Sequence, residues 1–352
     1  MEERELAQQA LEALLACLQD VPFVGHIDTT PQAAEEFSGA RPDGVVRLEL
    51  PEGEQWLLLE VKSSGQPRLA REAANQLYRY RQAYPNAYGV FAAPYVSPRA
   101  AAICRESGAG YLDLAGNCHL SFKQVYIQRE GQPNPFARKR DLRSLYSPRA
   151  ERVLRVLLAD PRRTWKLQAL AGEAGVSLGH VHKVKNLLAD REWLRMEAEG
   201  FALSAPGDLL VEWAASYDYE RNRQRTYYSL KEPHDLEADL ADVCRQQGVR
   251  CALTGFSGAA RLAPFVRYQR VTAYLGADPG DVADRLGLKL VPSGANVILL
   301  TPYDAGVWYG SRQVDGADIV SPIQVYLDLQ GLSGRSEEAA QYLLEEVIQP
   351  TW

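Results

Sequence analysis

The sequence predicts a multi-domain α/β protein, and three observations carry that expectation. Short apolar runs alternate with amphipathic helical segments through the first third of the chain. A proline-punctuated basic connector, "GQPNPFARKRDLRSLYSPRA", then interrupts the pattern. Beyond it come a cluster of short helices and a region with helical ends and a β-rich middle. The boundaries fall at residues 1–131, 132–147 (the connector), 148–206 and 207–352.

In the first block, Leu6, Ala10, Leu14 and Leu18 recur at helical spacing along Glu3 to Leu18. Strands "PFVGHID", "GVVRLEL" and "WLLLEVKS" follow, then the helix "RLAREAANQLYRYRQAY", ended by Pro85. The strand "AYGVFAAP", the Ser-Pro-initiated helix "RAAAICRESG" and the strands "GYLDL" and "CHLSFKQVYIQRE" complete it. The order α-β-β-β-α-β-α-β predicts an α/β/α sandwich around a mixed sheet. In the second block the helices "ERVLRVLLADP" and "KLQALAGEAG", the turn "GVS", the helix "LGHVHKVKNLLADREW" and the hairpin "LRMEAEGFALS" predict a winged helix-turn-helix. The third block reads as α+β, with strands "RVTAYLG", "LKLVPS" and "NVILLTP".

Composition narrows the function classes. The 352 residues are 46% hydrophobic, yet no window approaches the ~18 apolar residues of a membrane span. The acidic, amphipathic start is not a signal peptide. Five cysteines without C-x-x-C spacing read as reduced thiols, so a cytoplasmic location is expected. A net charge of -6 leaves only a local surface for phosphate. The stretch from Phe136 to Lys166 offers one, with ten basic residues against three acids, among them Arg138, Lys139, Arg140 and Arg143. A solvated linker is the alternative reading of the same charges. In the third helix of the second block Ser177 reads as the N-cap, and His180, Lys183 and Asn186 share a face. Lys183 and Asn186 suit base edges, and Lys185 and Arg191 suit phosphate. His180 and His182 lie too far around the helix to share a metal, and read as polar or DNA-facing. A winged helix that mediates protein contacts instead would use the same fold.

The chemistry concentrates between Arg41 and Gly65, "RPDGVVRLELPEGEQWLLLEVKSSG". Asp43 opens one strand, and Glu60 and Lys62 share a face of the next, so an antiparallel pairing brings all three together. Asp43 and Glu60 suit Mg²⁺ or Mn²⁺, the Val61 carbonyl is a third candidate ligand, and Lys62 can hold the attacking water. Glu5 or Glu12 on the first helix could add an acid. An E-x-K triplet also arises by chance in a charged chain.

The pattern "RPDG…LLLEVKSS", followed by Gln76 and Tyr80 on a helix, resembles the PD-(D/E)XK, or restriction-endonuclease-like, superfamily. The resemblance covers most of residues 1–130 and implies Asp43, Glu60 and Lys62 as a catalytic set, with Gln76 auxiliary. The segments "CALTGFSGAARLAPFVRYQRVTAYL" and "GANVILLTPYDAGVWYG" resemble the C-terminal part of AbiEi-like antitoxins of type IV toxin–antitoxin systems, which implies a nucleotidyltransferase-like fold. No D-x-D or D-x-E accompanies "RVTAYL", so no transferase activity is expected. A turn and a helix start account for Asp304 and Asp328. Two functions follow: a metal-dependent deoxyribonuclease whose later domains select DNA, single- or double-stranded, or an antitoxin-like DNA-binding regulator that keeps the nuclease fold as a scaffold. A homodimer and a protein partner for the third block are compatible with either.

Overall fold

A computed structural model describes residues 3–29, 42–84, 86–136, 145–264, 268–332 and 335–352. It is a mixed α/β, multi-domain structure that divides into two compact units, Met1–Asp141 with Ala189–Glu192, and Leu142–Leu188 with Trp193–Trp352.

The first unit is built on a seven-stranded sheet in the order β1-β2-β3-β4-β5-β6-β7. The strands are β1 (Ile27–Asp28), β2 (Gly44–Leu50), β3 (Gly53–Val61), β4 (Ala87–Ala93), β5 (Gly110–Asp113), β6 (Cys118–Phe122) and β7 (Val125–Arg129). β3, β4 and β5 run parallel, and the flanking pairs are antiparallel. Helix α1 (Glu3–Gln19) covers one face: Ala10, Leu14 and Leu18 pack with Val46, Leu57, Leu59 and Val90. Helices α2 (Pro67–Ala83) and α3 (Pro98–Glu106) cover the other, where Ala73, Leu77 and Ile103 meet Leu58 and Phe91. Alternation along β3 thus feeds two cores.

Two expected strands come out differently. Of "PFVGHID" only Ile27–Asp28 is strand; Gly25 and His26 still exchange backbone hydrogen bonds with Glu49, but Pro22 lacks an N–H and the Val24 N–H turns back to the Val21 carbonyl. "CHLSFKQVYIQRE" is a hairpin, broken where Lys123 takes a φ of 43°.

The second unit begins with helices α4 (Pro148–Ala159), α5 (Leu167–Ala174) and α6 (Leu178–Asp190), followed by the hairpin β8 (Leu194–Glu197) and β9 (Gly200–Leu203). Gly175 ends α5 at a φ of 62°, the left-handed conformation that glycine adopts without a Cβ clash. Val181, Val184 and Leu188 bury one face of α6. After α7 (Pro206–Ser216) comes a mixed sheet ordered β13-β10-β14-β12-β11-β16-β15. Its strands are β10 (Arg223–Tyr228), β11 (Cys251–Leu253), β12 (Val271–Leu275), β13 (Lys289–Leu290), β14 (Val297–Thr301), β15 (Arg312–Val314) and β16 (Ala317–Ile319). Helices α8 (Pro233–Gln247), α9 (Gly255–Leu262), α10 (Gly280–Arg285), α11 (Pro322–Gln330) and α12 (Ser336–Leu343) accompany it. One apolar core runs from α4 through this sheet.

Candidate functional site

Strand β3 ends at Val61, and the residues there converge as their alternation requires. Glu60 is only 5% exposed, set between the sheet and α2. Its Oε1 accepts from Lys62 Nζ at 2.7 Å, and Tyr80 donates its hydroxyl to Oε2 at 3.4 Å. Gln76 Nε2 donates to the same Tyr80 hydroxyl at 2.8 Å, so Gln76 reaches Glu60 through Tyr80. Asp43, exposed just before β2, accepts the Val61 N–H on Oδ2 at 2.7 Å. The N–H and C=O of one strand residue face the same edge, so the Val61 carbonyl also lies on the Asp43 side. Asp43, Glu60, Val61, Lys62 and Gln76 are therefore neighbours. Glu72 joins them, its Oε1 3.9 Å from Lys62 Nζ; the i, i+4, i+8 spacing of Glu72, Gln76 and Tyr80 is the sequence signal for that shared face.

Electrostatics follow from burial. Desolvation pushes the Glu60 carboxyl above its ordinary range; Lys62 pulls it back, the Asp43 charge adds to the rise, and the Tyr80 hydroxyl opposes it. Burial works against the Lys62 ammonium, but the Glu60 bond and the charges of Glu60, Glu72 and Asp43 outweigh it and raise its pKa. The loop beyond β3 is held tightly. Gly65 bridges to Val96, and a Cβ on Gly65 would come within 2.1 Å of the Tyr95 carbonyl oxygen.

Glu5 and Glu12 do not complete an acidic trio. The apolar face of α1 turns to the sheet, which leaves both acids exposed, and Glu12 accepts from Gln8 instead. Among the described residues no group of three or more His, Cys, Asp and Glu is arranged to hold a metal ion. Asp113 and Asn117 close a turn, with Asp113 accepting from the backbone of Val96, Ala115 and Asn117.

In the second unit Ser177 caps α6 through the His180 N–H. His182, Lys183 and Asn186 are exposed, and Asn186 Nδ2 lies 3.2 Å from His182 Nε2. His180 is half-buried rather than exposed beside Lys183; burial, then Lys183 and Arg149, lower its pKa. Lys185 lies over the Phe201 ring at 5.6 Å. Arg138, Lys139, Arg140 and Arg143 lie outside the described residues.

Several other cations of the basic stretch are committed to structure. Arg152 grips Asp304 with two hydrogen bonds of 2.7 and 2.9 Å. Arg155 is 1% exposed, bonded to Gln324 at 2.6 Å and stacked over Trp213. Arg163 lies over Trp165 at 3.8 Å. The turn around Gly255 is closely packed: buried Ser257 accepts the Thr272 N–H, and a Cβ on Gly258 would crowd Val325 at 3.1 Å. Asp304 caps a turn through the Gly306 N–H, as expected. Asp328 does not start a helix. It lies late in α11, fully buried, and accepts from Thr254, Tyr217, Tyr274 and Gln324. No sequence spacing announced that cluster.

The C-terminal part of the chain is AbiEi-like. Residues 203–349, less than half of the chain, match the family described as "Transcriptional regulator, AbiEi antitoxin, Type IV TA system". No curated protein and no solved structure matches. Among the described residues no helix is long and apolar enough to cross a membrane.

Proposed function

We propose that the protein is a DNA-binding transcriptional regulator of the antitoxin type, with residues 148–206 acting as a winged helix. The observation that carries this reading is the AbiEi match over residues 203–349, joined in one compact unit to α4, α5 and α6. The exposed face of α6 supplies the reading groups: Lys183 to guanine or phosphate, and Asn186 and His182 to base edges. The tip of the β8–β9 hairpin carries Glu197 and Glu199, so phosphate is met by the helix and not by the wing. A protein that silences a toxin gene pair would bind the DNA upstream of its own coding sequence. Fluorescence anisotropy on that DNA, against scrambled DNA and across a salt series, tests the proposal. Specific, salt-dependent binding supports it; equal affinity for both sequences sinks it.

A second reading rests on the first unit, where Asp43, Glu60, Lys62 and Gln76 converge. The oxygen-rich donor set fits a hard divalent cation, with Asp43 and Glu60 as the holding carboxylates and the Val61 carbonyl beside them. Such an ion, when bound, supplies a water of lowered pKa. Lys62 would hold the attacking water and offset charge on the phosphate, and Gln76, acting through Tyr80, would keep Glu60 in place. Incubation of single- and double-stranded DNA with Mg²⁺, Mn²⁺ or EDTA decides it. Metal-dependent cleavage lost in Glu60→Ala supports hydrolysis, and intact DNA under every metal leaves the fold as a scaffold.

A further inference from the structure

Four of the five cysteines lie in two neighbouring pairs. Cys17 with Cys118 is the better placed for chemistry. Cys17 lies in the last turn of α1 and Cys118 opens β6, yet their Sγ atoms are 3.8 Å apart. That is contact distance for two thiols, about 1.8 Å longer than a disulfide bond. Cys118 is 1% exposed, whereas Cys17 is half-buried at the wall of a cleft of about 260 Å³. The exposed rings of Phe23 and Tyr126 and the guanidinium of Arg129 also line this cleft. When two thiols hold one proton between them, the negative charge is less costly on the more exposed sulfur. The two thiols are hydrogen-bonded to one another, and that bond brings the pKa of Cys17 down to about 7, with help from Arg129 and against the opposing effects of burial and the Asp20 charge. Cys104, by contrast, is buried in the α2–α3 core, and desolvation pushes its thiol up to about 12.

We propose that Cys17 and Cys118 form a reversible thiol–disulfide site that reacts with hydroperoxides. The Cys17 thiolate attacks one peroxide oxygen, the O–O bond breaks, and the other oxygen leaves as alcohol or water after taking a proton. Cys17 is then a sulfenic acid. The Cys118 sulfur displaces its hydroxyl, which leaves as water with the Cys118 proton, and an S–S bond forms. Each sulfur has lost one electron and the peroxide has gained two. The product ties α1 to β6 across the sheet face on which Leu14 and Leu18 pack.

The test uses the full-length chain. Reduced protein is treated with hydrogen peroxide, its remaining thiols are alkylated, and peptides are mapped by mass spectrometry without reduction. The expected result is a Cys17–Cys118 peptide two hydrogens lighter than the reduced pair and restored by dithiothreitol, with Cys104 alkylated throughout. Peptides carrying Cys244 and Cys251 are separate products and do not bear on the outcome. In Cys118→Ser, whose hydroxyl keeps a donor beside Cys17 but cannot form a disulfide, Cys17 should stop at the sulfenic acid and be captured by dimedone. The proposal is overturned if Cys17 reacts no faster than Cys104. It is equally overturned if wild-type Cys17 passes to the sulfinic acid without joining Cys118.

Discussion

Asp328→Asn should change how the stability of the second unit depends on pH. Asp328 is wholly buried in α11, and desolvation raises its carboxyl from the ordinary 3.8 to about 6, against the opposing hydrogen bonds of Thr254, Tyr217, Gln324 and Tyr274. The folded state therefore holds the proton more tightly than the unfolded chain. The stabilisation is fully present below about pH 3.8 and is lost as pH rises through about 6. That interval corresponds to about 3 kcal/mol. An asparagine keeps the shape and cannot ionise. Its carbonyl can take the Tyr217, Tyr274 and Gln324 donors, while the Thr254 hydroxyl rotates to accept from its amide. Urea unfolding followed by tryptophan fluorescence, on wild type and variant in parallel, cancels the other titrating groups. The stability of the variant relative to wild type should rise by about 3 kcal/mol between about pH 4 and about pH 8. A difference that stays flat over that interval would show that Asp328 is not held as a desolvated acid.

Lys62→Met should leave Glu60 buried without its counter-ion and speed hydrogen exchange along β3 by a loss of about 2–3 kcal/mol, less than a fully buried pair because Lys62 keeps 23% of its side chain in solvent. Glu60→Gln added to that variant should restore most of the protection; exchange that stays fast in the double variant counts against an unpaired charge as the cause. Lys183→Ala should lower affinity for DNA and reduce the salt slope by about 0.9, read by anisotropy, if Lys183 meets phosphate. Asn186→Ala should instead relax discrimination between sequences by about 1–3 kcal/mol at one base pair, and binding data on single-base variants of the site would reveal it. Asp304→Ala should strip Arg152 of its two hydrogen bonds to that carboxylate, leaving the one to the Gly175 carbonyl, and destabilise the second unit by about 1–3 kcal/mol in the same urea assay.

What the sequence disclosed and what it hid divide along chain distance. Glu60, Val61 and Lys62 were legible because a strand alternates, and Gln76 and Tyr80 because a helix repeats every turn. Asp43 needed only one hairpin to arrive beside them, and the β2–β3 register supplies it. Helix α6 and its cap were legible for the same local reason. The fate of the basic stretch was not. Arg152 and Arg155 count as surface charge in a window of sequence, but their partners Asp304 and Gln324 lie 152 and 169 residues further on. The Asp328 cluster collects donors from 74 and 111 residues away, and Cys17 meets Cys118 across 101. Pattern reading sees neighbours along a strand or helix; it does not see which distant carboxylate will neutralise a given arginine.

Helix α4 links what look like separate modules. Glu151 and Arg155 point from it into the interior, where Arg221, Tyr303 and Gln324 answer them, and Trp352 at the chain end donates its indole N–H to the Leu158 carbonyl. Severing the chain near residue 204 would therefore not yield a DNA-reading fragment and an antitoxin-like fragment, each folded. It would strip Glu151 and Arg155 on the first of their partners and open the core of the second.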